Sequence, residues 1–322
     1  MKGKILRLLK ENREKFLSGV SISRQLQVSR TAIWKYISVL RDDGYRIKSV
    51  AGRGYQLQTV PDLLTPLEID DGLRTKVLGQ QIKYFQEIDS TNRVARKLAQ
   101  AGAADGLLVI AEKQKAGRGR LGRTWSSPSG GIWFSLILRP PLPPFKVQGL
   151  TLLTAVVAVE TTALLCGLNV GIKWPNDLIV NGKKLAGILT EVSAEIERLH
   201  YVVVGLGLNA NVSLSQLPAE VETIATSILA ETKRPLRRAE WIQTFLQRFE
   251  AAYQEAVVNG FAEILARWRR YSITLGRTIV IHAGGKLITG RAVDINEQGA
   301  LLVETKNGVE TFWAGDVSLS ND

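Results

Sequence analysis

Residues 117–125, GRGRLGRTW, place three arginines and three glycines in nine positions, with Lys115 just ahead of them. Guanidinium groups are forked donors matched to phosphate and carboxylate oxygens, and glycines let the backbone approach such a ligand closely. The direct chemical reading is a loop for an anionic, phosphate-bearing ligand. A solvated basic loop is the alternative, and it leaves the glycines and Trp125 unexplained. Gly117, Gly119 and Gly122 also satisfy G-x-G-x-x-G, a dinucleotide fingerprint that requires a strand before it and a helix after it. LLVIAEKQ before it reads as a strand, but RTWSSPSGGIWFSLILRP after it carries Pro128, the pair Gly130 and Gly131, and a second strand-like run. The stretch is expected to be a loop between two strands and not a Rossmann turn.

A second cluster, KWPNDLIV, sets Lys173, Asn176 and Asp177 around Trp174 and Pro175. A carboxylate beside a phosphate site commonly holds magnesium or a polar part of a nucleotide. A surface turn with solvated charges fits these residues equally. NGKKLAG adds Lys183 and Lys184 beside a hairpin-like turn, within reach of the same anion. His200 and Cys166 belong to no recognisable nucleophile-and-base motif, and Cys166 closes an apolar run as a core residue would. Positioning and electrostatics alone can drive phosphoryl or adenylyl transfer, so the lack of a nucleophile excludes neither.

The elements that must hold these groups follow from composition and periodicity. At 322 residues with 45% apolar content, the chain has material for two or three folded domains. One cysteine excludes a disulfide framework or a multi-cysteine zinc site, and two histidines exclude a histidine-rich metal centre. The expected compartment is the cytoplasm. The first twenty residues are amphipathic and charged throughout, unlike a signal peptide, and no run is expected to reach the length of a membrane span.

The formal net charge is +12, and residues 1–60 hold thirteen Lys or Arg against four Asp or Glu. That asymmetry points to a polyanion binder at the N-terminus. Spacing there predicts a helix over residues 3–17, a short helix around ISRQLQ, and a helix RTAIWKYISVLRDDG capped by Ser29 and stopped by Gly44. YRIKSV and YQLQ flank the turn AGRG as a hairpin, completing a winged helix-turn-helix. Its recognition helix would offer Ser29, Arg30, Thr31, Trp34 and Lys35 to the major groove, and its wing would offer Arg53. A small basic domain that binds protein is the alternative.

The remainder predicts an α+β chain with a mixed central sheet. Strands at IKYFQEID, LLVIAEK, IWFSLIL, IKWPNDLIV, LAGILTEVSAEI and YVVVGLGLN alternate irregularly with helices at STNRVARKLAQ and LTLLTAVVAVETTALLC. From about Thr278, short strands punctuated by Gly and Asn predict a small β-barrel or sandwich. The expected divisions are 1–60, 67–270 and 271–322, with QTVPDLLTP as a connector.

GRGRLGRTW and KWPNDL, in this order and separation, together with STN at 90–92 and KLAG at 184–187, resemble the paired signatures of the bifunctional biotin protein ligases that repress biotin synthesis genes. The resemblance covers essentially the whole chain, from the winged helix to an SH3-like terminal barrel. It implies that biotin and ATP, with Mg2+, give biotinoyl-5′-AMP, and that a lysine of the biotin carboxyl carrier protein of acetyl-CoA carboxylase then takes the biotinoyl group. It further implies a homodimer, formed when biotinoyl-5′-AMP is bound, that sits on operator DNA as a repressor, and no membrane association.

By this resemblance Ser90, Thr91, Asn92 and Gln114 line the biotin site, and Arg118, Gly119 and Arg120 wrap the carboxylate and phosphate as their loop folds over the intermediate. Lys184 meets the carboxyl end of biotin. Arg123, Trp125, Asn176 and Asn209 lie by the nucleotide, Lys173 serves the phosphates, and Asp177 serves Mg2+ or the incoming amine. Arg118, Arg120, Lys173, Asp177 and Lys184 form the implied catalytic set. Ser320 stands where some relatives carry a basic residue, so the barrel is assigned no phosphate contact and its implied role is docking the carrier. A ligand sensor that has lost ligation, and a ligase of lipoate or octanoate, are the competing readings. The second fits poorly with four ureido-type partners.

Overall fold

The computed structural model describes residues 1–319; Ser320 lies outside them. Contacts divide the chain into two compact units, Met1–Leu63 and the chain from Leu64 onward.

The first unit is helical with a hairpin. Helices α1 (Lys2–Glu11), α2 (Gly19–Leu26) and α3 (Arg30–Asp42) precede strands β1 (Arg46–Val50) and β2 (Gly54–Thr59). Ile5, Leu6, Leu9, Ile22, Ile33, Ile37 and Leu40 are buried together, as their helical spacing requires. Ser18 and Ser29 cap α2 and α3, the latter accepting Ala32 N–H at 3.1 Å. The first helix is shorter than the 3–17 expected. After Leu9 no apolar residue continues its buried face until Phe16, and the Asn12 side chain donates back to Leu8 O at 3.0 Å. Leu17 instead pairs with Tyr55, so a short extended piece joins the hairpin edge.

The second unit opens with α4 (Pro66–Asp70) and continues β3 (Ile82–Ile88), α5 (Thr91–Gln100), β4 (Leu108–Gln114), β5 (Ile132–Leu138) and α6 (Gln148–Cys166). Strands β6 (Gly171–Lys173), β7 (Asp177–Val180), β8 (Lys183–Ala194) and β9 (Leu199–Leu208) complete a seven-stranded sheet ordered β3-β4-β5-β9-β8-β7-β6. Only β3 and β4 run parallel, with α5 as their crossover, so the sheet is mixed, as expected. Asn181 and Gly182, both at positive φ, make the β7–β8 turn, which puts Lys183 and Lys184 inside the strand.

Helices α7 (Ala219–Glu222), α8 (Ile228–Thr232), α9 (Arg238–Asn259) and α10 (Ala262–Tyr271) follow, all four in the stretch between residues 209 and 278 where no element is expected from the sequence. Strands β10 (Thr278–Ala283), β11 (Lys286–Ile295), β12 (Leu301–Thr305), β13 (Gly308–Phe312) and β14 (Asp316–Leu319) form an antiparallel sheet ordered β13-β12-β11-β10-β14.

Contrary to expectation, one run does reach the length and apolarity of a membrane span: Pro144–Cys166, 23 residues containing an 18-residue window of mean hydropathy 1.8. Its helix α6 is apolar on all sides because it is a core helix, enclosed by the sheet, α9 and α10. Period-two alternation then gives the sheet two distinct faces. Val202, Val204, Leu206 and Leu208 of β9 join the core that contains α6, while Val203 joins the cluster beneath α5. Gly205 and Gly207 fall on that same opposite face, leaving a shallow floor beside α5.

Beneath that floor, Glu112 and Arg238 form a buried ion pair at 2.9 Å, each side chain 3% exposed. Glu112 also accepts Leu64 N–H at 2.7 Å and Arg238 donates to Gly131 O at 2.8 Å, so the entry to the unit, β4 and the start of β5 are fixed to one another.

Candidate functional site

The floor formed by Gly187, Gly205 and Gly207 belongs to one pocket. Ser90, Thr91, Asn92 and Gln114 close one end, and Arg118, Arg120, Arg123, Asn176, Asp177 and Lys184 surround the other. The arginine stretch is indeed a loop between β4 and β5 with no helix of the Rossmann kind; Arg120–Gly122 makes only a single 3-10 turn. Its base is closed by paired contacts between Gln114 and Ser127 and between Arg118 and Thr124.

The polar end is a saturated network with a defined remainder. Ser90 caps α5, and this fixes the positions of Thr91 and Asn92, which are 4% and 5% exposed. Gln114 Oε1 accepts Thr91 N–H at 2.8 Å and its Nε2 donates to Ser127 Oγ at 2.8 Å. Asn92 Nδ2 donates to Leu189 O at 3.2 Å and to Glu191 Oε2 at 2.9 Å, which spends both of its hydrogens. Thr91 Oγ1 lies 3.1 Å from Gln114 Oε1 and 2.8 Å from Ser135 Oγ, so its hydrogen is spent inside the network. What remains free is the hydroxyl hydrogen of Ser90, one Nε2 hydrogen of Gln114, and a lone pair each on Thr91 and Asn92. Two donors and two acceptors are therefore left unspent at this end of the pocket.

The charged end is held by ion pairs that a ligand can exchange. Lys184 meets Asp177 at 2.7 Å and stands 5.2 Å from the Trp125 ring centroid. Trp125 packs across Gly187 and Gly207, which are directly paired on β8 and β9; a Cβ on either would lie within 3 Å of the indole. Arg118 reaches Glu191 at 3.4 Å. Arg120 is half-buried and donates to Asn176 Oδ1 at 3.1 Å and to Gly315 O at 3.3 Å, while Arg123 pairs with Asp316. Burial pulls the Arg120 guanidinium below its ordinary pKa, opposed by Asp316 and Asp177, and it stays charged.

Lys173 sits behind the pocket without lining it. Burial lowers its pKa, Asp177 and Asp316 raise it in part, and Lys184 and Arg123 lower it. Asn209 also stays out of the lining: it is 4% exposed and its amide donates to Thr226 O at 2.9 Å.

The pocket thus gathers the sequence-derived residues Ser90, Thr91, Asn92, Gln114, Arg118, Gly119, Arg120, Arg123, Trp125, Asn176, Asp177 and Lys184. Sequence reasoning did not supply Gly187, Gly205, Glu191, Ser135 or Asp316. The alternation VGLGL was a usable signal for the glycine floor, since small residues two apart share one face of a strand. Among the described residues no group of three or more His, Cys, Asp or Glu could hold a metal.

In the first unit, Arg30, Thr31, Trp34 and Lys35 line the exposed face of α3, and Arg53 stands exposed on the wing with its guanidinium 4.5 Å above the Phe16 ring. Ser29 uses its oxygen as the α3 cap.

Known proteins give a consistent answer. The profile of the biotin/lipoate A/B protein ligase family matches residues 84–209, an HTH domain profile matches 2–56, and the biotin protein ligase C terminal domain matches 274–320. The bifunctional ligase/repressor BirA of Bacillus spizizenii is 40% identical over 316 residues, 98% of this chain and 97% of that protein. Its counterpart in Escherichia coli is 32% identical over 94% of this chain and 93% of that protein. The fold also matches a biotin protein ligase from Aquifex aeolicus solved with biotin and ATP, with a TM-score of 0.66 at 28% identity, over 76% of this chain and 100% of that one. The chain belongs to the family of bifunctional biotin ligase/repressor proteins.

Proposed function

We propose that this protein is an ATP-dependent biotin protein ligase that forms biotinoyl-5′-AMP, transfers the biotinoyl group to a lysine of a biotin carboxyl carrier protein, and represses biotin synthesis genes. The carrying observation is the pocket's two-ended chemistry. A cyclic urea presents one carbonyl oxygen with two lone pairs and two N–H groups. Ser90 and Gln114 donate to the carbonyl, and Thr91 and Asn92 accept from the N–H groups. A lipoyl or octanoyl chain offers neither, and would leave buried polar groups unfilled.

At the other end Arg118, the Gly119 backbone, Arg120 and Lys184 hold biotin's carboxylate against the α-phosphate of ATP. A carboxylate oxygen attacks the α-phosphorus, the bond to the bridging oxygen breaks, and pyrophosphate leaves. The acceptor lysine amine then attacks the acyl carbon and AMP leaves, so the enzyme needs no nucleophile of its own. Fixed cations around the developing negative charge supply the main assistance. Arg123, Trp125 and Asn176 serve the nucleotide end, and Lys173 and Asn209 support it from behind.

Mg2+ accompanying the nucleotide supplies further charge neutralisation. A pocket lined by two carboxylates, Asp177 and Asp316, each already paired with a cation, would suit an ion held mostly by phosphate oxygens and water. Asp177 serves either that ion or the incoming amine. Loop closure keeps water from the mixed anhydride until the carrier arrives, and residues 271–322 form the carrier-docking part, distinct from 67–270. The intermediate also acts as corepressor: ordering the loops lets two copies associate as a homodimer, and two α3 helices then read a palindromic operator. The protein works in the cytoplasm.

Pyrophosphate release from ATP tests this directly. It should require biotin and should not occur with lipoate or octanoate. Comparable release with lipoate would transfer the reading to that acid, and retained biotin binding without release would make the protein a sensor alone.

A further inference from the structure

Arg53 stands at the tip of the wing, in the turn AGRG, between Gly52 and Gly54, both at positive φ. An exposed arginine ordinarily samples many rotamers, and any contact it makes must overcome that entropy. This one is held: its Cζ lies 4.5 Å above the centroid of the Phe16 ring. Among the described residues its guanidinium makes no hydrogen bond or ion pair within the protein. Arg41 of the same unit is the contrast, since its guanidinium is spent on Ile47 O and Ser49 Oγ.

Phe16 is half-buried and takes no part in the buried cluster that joins α1, α2 and α3. The connector that carries it is fixed to the hairpin. Leu17 and Tyr55 exchange N–H···O bonds of 2.8 and 2.9 Å, and Gln56 Nε2 donates to Arg13 O at 3.0 Å. A Cβ at Gly54 would stand 2.1 Å from Leu17 O, so this close approach requires the glycine. Stacking uses the face of a guanidinium and leaves its N–H groups, which lie in the plane, at the edge. Arg53 therefore keeps a complete fork of donors while its rotamer is restrained, which is what a phosphate's paired oxygens require.

We infer that Phe16 is a positioning residue of the DNA interface: its ring holds the Arg53 guanidinium at the wing tip with its donors free for a phosphate of the duplex backbone. The inference rests on the DNA-binding reading of the first unit and adds to it a residue that carries no charge of its own.

A double-mutant cycle on the full-length protein tests it, with biotin and ATP present. The probe is a fluorescein-labelled duplex of the promoter of the biotin synthesis genes, read by anisotropy, beside a mixed-sequence duplex, because a phosphate contact is independent of sequence. Phe16→Leu stays apolar but removes the ring. It should weaken binding by about two- to fivefold for each copy bound, at unchanged salt dependence, since no cation is lost. Arg53→Ala should weaken binding further and reduce the salt slope by about one ion per copy. In the Arg53→Ala background Phe16→Leu should add nothing, because the group it positions is gone. Phe16→Tyr keeps the ring and should bind as the wild type does, and Phe16→Met replaces the leucine variant should that one not fold. A merely structural role would weaken binding by the same factor with or without Arg53. That additivity, or unchanged or tighter binding by Phe16→Leu, would overturn the inference and leave the DNA-binding reading intact. A wild type with no affinity for either duplex would overturn the DNA-binding reading itself.

Discussion

Gly205→Ala should disable the biotin end of the site through one added carbon. The Gly205 backbone is not in the left-handed region, so alanine meets no backbone penalty and the whole effect comes from what the methyl strikes. That atom would lie 1.9 Å from Asn92 Oδ1, 2.8 Å from its Cγ and 3.0 Å from its Nδ2. A relaxed contact needs roughly 3.5 Å, so the amide has to retreat by roughly 1.5 Å. Asn92 is held by Ser135 at 2.6 Å, Glu191 at 2.9 Å and Leu189 at 3.2 Å, and a shift of that size breaks all three bonds. At about 1 kcal/mol each, the loss is about 3 kcal/mol of folding stability, and biotin loses its one contact with Asn92, about 10-fold in affinity. Calorimetric titration with biotin measures it, with a thermal melt of the same sample as a control on folding. A dissociation constant within threefold of wild type would refute the geometry on which this reasoning rests.

Three further outcomes are expected. Arg120→Ala removes the loop cation bonded to Asn176 and Gly315; the purified biotinoyl-5′-AMP complex should lose its ligand to hydrolysis at least about tenfold faster, with circular dichroism unchanged, and unaltered retention on a filter would rule out loop closure. Lys173 has a pKa depressed by burial, so it loses its charge at lower pH than an ordinary lysine and adenylate formation should decline on the alkaline side as pH rises through that value. Lys173→Arg should carry that alkaline limb upward, and an unmoved profile would remove Lys173 from phosphate binding. Arg30→Ala, on the exposed face of α3, should weaken operator binding and reduce its salt dependence by about one ion while ligation is unaffected; equal loss of both activities would mean the two are not separable.

Much of the site was legible because its chemistry is contiguous in the chain. The arginines and glycines of 117–125 announce an anion loop by composition, and Ser90 caps a helix by a local rule that needs no tertiary knowledge. The residues that escaped are brought in by sheet register. Ser135 meets Asn92 across 43 positions and Glu191 meets it across 99, and neither carries a local signature. Asp316 reaches Arg123 across 193 positions. The first helix was overestimated because charged residues after Glu11 preserve helical composition without supplying a buried face. The length and apolarity of 144–166 were underestimated because isolated Thr and Glu residues break the visual run while the helix remains enclosed.

The central claim is best tested by following labelled biotin onto a purified biotin carboxyl-carrier domain, with ATP and magnesium present and each omitted in turn. Label fixed covalently on the carrier lysine only when both are present is the predicted result. Tight biotin binding with no label on the carrier under any condition would contradict it.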